Sequence, residues 1–194
     1  MTEFKSYTPE NAPEKSKDLL GDLEKKYGMN LNVFACMAES PLPIKLYKYG
    51  QDLLNEEGTL TAEEINLVQL AVSVQNECLF CVPAHSFIAK NQFETDSEIV
   101  EAIREGKDVP NEKFEALVRL AKAIVQERGH APDEDIQAFL KAGYTKEQIF
   151  EIIAIVAYKT ITNYTSAIAD EIEPNEGLKS EEWTPLSKRK DKAA

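Results

Sequence analysis

Apolar side chains recur along this chain mostly at the three- and four-residue spacing of helices. Leu19, Leu20, Leu23 and Tyr27 form a first stripe, predicting a helix over 13–27 with Pro13 in its first turn and Gly28 at its end. A short helix is predicted over 33–38, interrupted by Ser40-Pro41-Leu42-Pro43. A third follows over 42–54, with Ile44, Leu46, Tyr47, Leu53 and Leu54 buried in part. Thr61 with Glu64 three residues later reads as a capping box before a helix over 62–74, whose stripe is Ile65, Val68, Ala71 and Val72. The β-branched run 67–74 also suits a strand; its length and capped start favour helix. Ser97–Glu105 predicts a short helix ended by Gly106. Pro110 opens another, carrying Phe114, Leu117, Val118, Ala121, Ile124 and Val125 until Gly129-His130-Ala131-Pro132 breaks it. A short helix over 133–142 ends at Gly143. Thr145 and Gln148 form a second capping box before Ile149, Ile152, Ile153, Val156 and Ala157, in a helix reaching about residue 171. The two capped segments, 61–65 and 145–149, resemble each other; an internal repeat and capping alone both produce that.

Nothing in this pattern requires a sheet, so the predicted fold class is all-α, an orthogonal helical bundle. It divides into an N-terminal helical arm (1–40), a helical core domain (41–173) and a polar C-terminal tail (174–194). Trp183 is placed to anchor that tail to the body or to a neighbouring subunit. With 194 residues, the chain is long enough for one domain with a sizeable core. The formal net charge of -12 repels nucleic acid and anionic lipid, so neither is expected as a partner, and no apolar run has the length of a membrane span. The polar N-terminus lacks a secretory signal, and the odd count of three cysteines argues against a secreted disulfide scaffold. A reducing cytoplasmic location is expected, where a disulfide is catalytic more often than structural.

The chemistry concentrates in Asn76-Glu77-Cys78-Leu79-Phe80-Cys81-Val82-Pro83-Ala84-His85. On a helix, Cys78, Cys81 and His85 share one face. Asn76 is a candidate cap for that helix, but Pro83 restricts it. Either the helix starts near Val82 with the cysteines in the turn before it, or it starts at Glu77 with a kink. At a helix start, the first thiol, Cys78, feels the positive end of the dipole, which favours its thiolate. Such a pair exchanges electrons with another dithiol, or attacks a peroxide and resolves the sulfenic acid as a disulfide, with histidine moving the proton. The competing chemistry is zinc, held by Cys78, Cys81 and His85 with a fourth ligand; the alternative without chemistry is small buried residues beside a core histidine.

The stretches Leu60-Thr61-Ala62-Glu63-Glu64-Ile65, Leu70-Ala71-Val72-Ser73 and the cysteine–histidine segment resemble the core of the AhpD-like, or carboxymuconolactone decarboxylase, superfamily. Ala142-Gly143-Tyr144-Thr145, Glu151-Ile152-Ile153 and Thr160-Ile161-Thr162-Asn163-Tyr164 are similar to its second helical region; the likeness spans roughly residues 40–170. The resemblance implies an AhpD-like helical bundle assembled as a dimer, trimer or hexamer. It implies thiol-dependent reduction of a peroxide or small organic substrate, a dithiol or protein electron donor, and no cofactor. Cys81 then attacks, Cys78 resolves and His85 serves a proton relay. The relatives' relay glutamate falls on Asn66, which cannot exchange a proton as a carboxylate does. Glu63, Glu77 and Glu151 are the candidate replacements, and Phe80 occupies a position between the cysteines that relatives fill with histidine or aromatic residues. A helical oligomer that keeps the fold without catalysis is the alternative that Asn66 motivates. A lactone decarboxylase, which does not need the cysteine pair, is a more distant one. Cys36 reads as a small buried residue, His130 as a surface or capping residue, and Tyr158, Asn163 and Tyr164 as pocket or subunit-contact residues. The basic run Lys188–Lys192 reads as a solvated terminus.

Overall fold

The computed structural model describes residues 3–192, and helices supply the regular structure among them. In chain order these are α1 (Glu14–Tyr27), α2 (Asn32–Met37), α3 (Pro41–Glu57), α4 (Ala62–Gln75), α5 (Cys81–Gln92), α6 (Ser97–Arg104), α7 (Glu112–Gln126), α8 (Asp133–Lys141) and α9 (Lys146–Ile168). Short 3-10 turns follow at Glu176–Glu181 and Leu186–Lys192. The fold is an all-α orthogonal bundle; among the described residues there is no strand, and 67–74 is helical. Among the same residues no helix is long and apolar enough to cross a membrane.

The bundle is built around α4. Glu64 through Val74 are all buried, because α5, α6, α7 and α9 surround the helix. A single apolar stripe was too narrow a description: this helix has no solvent face, so its polar side chains must find partners inside the protein. Both expected capping boxes form. Thr61 Oγ1 accepts the Glu64 N–H at 3.2 Å while Glu64 Oε2 accepts the Thr61 N–H at 2.9 Å, and Thr145 with Gln148 repeats the arrangement.

Several boundaries differ from expectation. Pro41 and Pro43 fall inside the first turn of α3, where a missing N–H breaks no intrahelical bond, so that helix runs from Pro41 to Glu57. Leu46 and Leu53 on it remain exposed. α9 stops at Ile168, and Asp170 and Glu171 take left-handed backbone angles just after it. Asn76 closes α4 instead of capping the next helix. Glu77 then adopts φ 52°, and the Cys78 N–H returns to the Ser73 carbonyl at 3.0 Å, so a left-handed reversal delivers the cysteines. The kinked helix from Glu77 does not form; Cys78 precedes α5, Cys81 opens it, and Pro83 sits in its first turn.

The tail is fastened to its own chain. Trp183 is buried and its indole N–H donates to the Arg104 carbonyl at 2.9 Å, while the Arg104 guanidinium reaches Ser86 Oγ and the Glu182 carbonyl. Lys188 pairs with Glu171 and Arg189 with Glu105, so these two are not merely solvated; the remaining side chains of the basic run Lys188–Lys192 lie outside the described ones.

Candidate active site

Cys78 does at the start of α5 what serine does at an ordinary helix cap. Its sulfur accepts the Cys81 N–H at 3.2 Å, and its carbonyl accepts the Val82 N–H at 3.1 Å. Both thiols are buried and free. Cys81 Sγ lies 3.7 Å from Thr162 Oγ1, whose hydroxyl donates to the Lys159 carbonyl at 3.0 Å.

His85 is held at both ring nitrogens. Its Nδ1 is 2.7 Å from Asn66 Oδ1, and Asn66 Nδ2 donates to the His85 carbonyl at 3.1 Å. The amide nitrogen therefore faces the carbonyl and the amide oxygen faces the ring, which assigns the imidazole proton to Nδ1. Nε2 is left as an acceptor, and Lys159 Nζ donates to it at 2.7 Å. The network fixes a neutral imidazole. Burial holds its pKa well below the usual histidine range, and the charge of Lys159 acts in the same direction.

The two thiols are driven apart. Burial pushes Cys78 well above the ordinary thiol value, and the neighbouring Cys81 adds to this. Burial also opposes ionisation of Cys81, but the Cys78 hydrogen bond, the charge of Lys159, and contacts with Thr162 and Asn163 outweigh it and bring that thiol down to about 6. The dipole expectation, which favoured the thiolate of Cys78, is thus reversed. The Cys78 sulfur accepts the Cys81 N–H, but burial outweighs that single bond, whereas Cys81 is favoured by the Cys78 hydrogen bond, a lysine charge and two polar side chains of α9.

Cys81, His85, Lys159 and Thr162 line one side of a cavity of about 90 Å³. Tyr27, Phe34 and Tyr47 help to close the other side; their rings follow one another at 6.0 and 5.9 Å, and Tyr47 continues to Tyr158 at 5.5 Å. The N-terminal helices therefore roof the site. Cys78 does not line this cavity.

Of the candidate relay residues, only Asn66 touches His85. Glu63 accepts from Thr95, Glu77 from the Ser187 N–H and hydroxyl, and Glu151 from the Thr59 and Leu60 backbone, so none of the three glutamates takes the missing carboxylate's place. Tyr158 is buried and accepts from Gln69 at 2.9 Å; Asn163 is fully buried and accepts from Asn76, while Tyr164 is exposed. His130 is exposed and Cys36 only partly buried, each outside the cavity. Among the described residues, no three His, Cys, Asp or Glu side chains gather as a metal site; the Nε2 of His85 is occupied by Lys159.

Lys159 and Thr162 were not anticipated. Their signal is a polar row, Lys159, Thr162, Asn163 and Ser166, at helical spacing on an apolar helix. It faces a matching row, Asn66, Gln69 and Ser73, on α4.

Residues 44–123 match the carboxymuconolactone decarboxylase family. An uncharacterized peroxidase-related protein with an alkylhydroperoxidase AhpD core, from Ralstonia eutropha, has a similar structure: TM-score 0.75, 23% identity, covering 92% of this chain and 96% of that one. A peroxidase-related protein from a Silicibacter species gives a TM-score of 0.70 at 18% identity, covering 87% and 88%. The debrominase Bmp8 gives 0.73 at 19% identity, covering 93% and 96%. At these identities the likeness is one of fold. No curated protein sequence matches the chain.

Proposed function

We propose that this protein is a thiol-dependent peroxidase or disulfide oxidoreductase working through Cys78 and Cys81. The observation that carries the reading is the asymmetry of the pair: one thiol is acidic and faces a small cavity, and the other, three residues before it, is held protonated. Cys81 thiolate attacks the terminal oxygen of a hydroperoxide, the O–O bond breaks, and an alcohol leaves after taking one proton. The resulting Cys81 sulfenic acid condenses with the Cys78 thiol to give a disulfide and water. A dithiol donor, small or carried on a protein, then returns two electrons and two protons. The cavity volume suits hydrogen peroxide or a small organic hydroperoxide.

The test is dithiol-coupled turnover. With dithiothreitol or a dihydrolipoyl donor, ethyl hydroperoxide is expected to be consumed in one-to-one proportion with donor oxidation, above the rate without protein. Consumption no faster than the donor alone, with every donor and peroxide supplied, overturns the reading in favour of a catalytically silent member of the fold.

We infer a homo-oligomer as well. Leu46 and Leu53 on α3 and Phe150 on α9 are exposed and line an apolar groove of about 620 Å³. An apolar surface of this kind on a soluble chain marks a contact face, and the superfamily resemblance supplies a second copy as its occupant. Light scattering at micromolar concentration is expected to give at least a dimer; a monomer contradicts it.

A further inference from the structure

Lys159 is the residue of this site that the sequence motif leaves without a role. It is 2% exposed, sits mid-helix in α9, and lines the same cavity as Cys81. Buried ammonium groups are ordinarily matched by a carboxylate. Here, among the described residues, no carboxylate pairs with Lys159. Its one hydrogen-bond partner is His85 Nε2, a neutral acceptor, and the Tyr47 ring stands 5.6 Å away. The titratable groups around it are His85, Cys78 and Cys81 from α5 and its preceding turn, Tyr47 from α3 and Tyr27 from the end of α1; α2 contributes only apolar side chains, and α4 contributes Asn66. The one group in this set able to carry a negative charge near neutral pH is Cys81. An ammonium of Lys159 has three protons, and His85 engages one of them.

We propose that Lys159 is both the counter-ion of the Cys81 thiolate and the acid that protonates the leaving oxygen of the peroxide. His85, locked neutral by Asn66, aims that ammonium and does not itself supply the proton. The inference rests on the peroxidase reading above and deepens it.

The steps balance. Cys81 thiolate and a hydroperoxide give Cys81 sulfenic acid and an alkoxide, which takes a proton from the ammonium and leaves as alcohol, so Lys159 becomes a neutral amine. That amine removes the proton of the Cys78 thiol. Cys78 attacks the Cys81 sulfur, and the departing hydroxide takes the same proton from Lys159 to leave as water. Reduction of the disulfide by a dithiol returns two protons, one to Cys78 and one to Lys159, and restores the thiolate–ammonium pair. Asn66 in place of a carboxylate is thereby accounted for: a carboxylate on Nδ1 would favour imidazolium, which cannot accept from Lys159.

The test uses the intact chain with Lys159→Met and Lys159→Arg, and two oxidants. Ethyl hydroperoxide expels an alkoxide that needs a proton; peracetate expels a carboxylate that does not. Thiolate formation at Cys81 is read by the pH dependence of iodoacetamide alkylation, mapped by peptide mass spectrometry. Alkylation of Cys81 in the unchanged chain is expected to rise with a midpoint near 6. Lys159→Met is expected to move that midpoint upward by about one unit or more. Above the new midpoint, its oxidation by ethyl hydroperoxide should remain about 100-fold slow while that by the peracid recovers. Lys159→Arg keeps the charge but holds its protons, so it should retain the low midpoint and the selective defect. An unchanged midpoint in Lys159→Met overturns the ion pair. Equal losses with both oxidants overturn the acid role. A midpoint shift in Lys159→Met together with an unchanged chain that consumes neither oxidant overturns the peroxidase reading and the acid role together, and leaves only the ion pair standing.

Discussion

Cys81→Ser is expected to lower peroxide consumption by roughly 1,000-fold or more, because a serine hydroxyl in this position has no base to ionise it. His85 Nε2 is occupied by Lys159, and no carboxylate or second imidazole lines the cavity wall to act as the base. Cys78→Ser has a different outcome. The serine hydroxyl can still accept the Cys81 N–H and cap α5, so the fold and the Cys81 thiolate survive. Each chain should then consume one equivalent of peroxide and stop as a sulfenic acid, detected as a dimedone adduct at Cys81. An equal loss in both variants, with no adduct, would show that the pair does not divide its labour. Turnover in Cys78→Ser as fast as in the unchanged chain, with the same dithiol donor, would show that Cys78 is not the resolving residue.

Glu64→Ala is expected to cost about 3 kcal/mol of unfolding free energy, read from urea denaturation. This carboxylate completes the cap of the central helix, accepts from Lys113 at 2.9 Å and from the buried Tyr144 hydroxyl at 3.0 Å. Alanine removes the cap partner and leaves the phenol unpaired beside Phe139, against which Tyr144 is stacked at 4.3 Å. Burial raises the Glu64 pKa, but its bonds with Lys113, Thr61 and Tyr144 more than offset this and hold it below the usual carboxylate value. The sign follows. Its contribution is present above the ordinary carboxylate pKa and is lost as pH falls through the lowered folded value. The difference in stability between Glu64→Ala and the unchanged chain should therefore shrink on acidification. A loss below about 1 kcal/mol at neutral pH would contradict the assignment.

The helices were legible because their signals are local: two capping boxes, glycines after helix ends, and apolar spacing. The reversal at Asn76-Glu77 was not. A left-handed glutamate is uncommon, and it depends on closure between Cys78 and Ser73 across the end of α4. The cysteines and His85 stood out by residue type and spacing. Lys159 did not, because 74 residues separate it from His85 and only the packing of α9 on α4 and α5 joins them. By residue type alone, Glu63, Glu77 and Glu151 are the acids available to replace a relay carboxylate. The fold instead places an amide at His85 Nδ1 and a cation at Nε2. The buried polar rows of α4 and α9 were readable in principle, since Asn66, Gln69 and Ser73 interrupt an apolar helix at a helical repeat.

The most direct measurement is peptide mapping by mass spectrometry after one equivalent of peroxide is added to the reduced chain. A linkage joining Cys78 to Cys81, formed in every chain, with Cys36 still free, is the predicted product. Peptides that retain both thiols, or that carry Cys81 oxidised while Cys78 never joins it, contradict the redox pair.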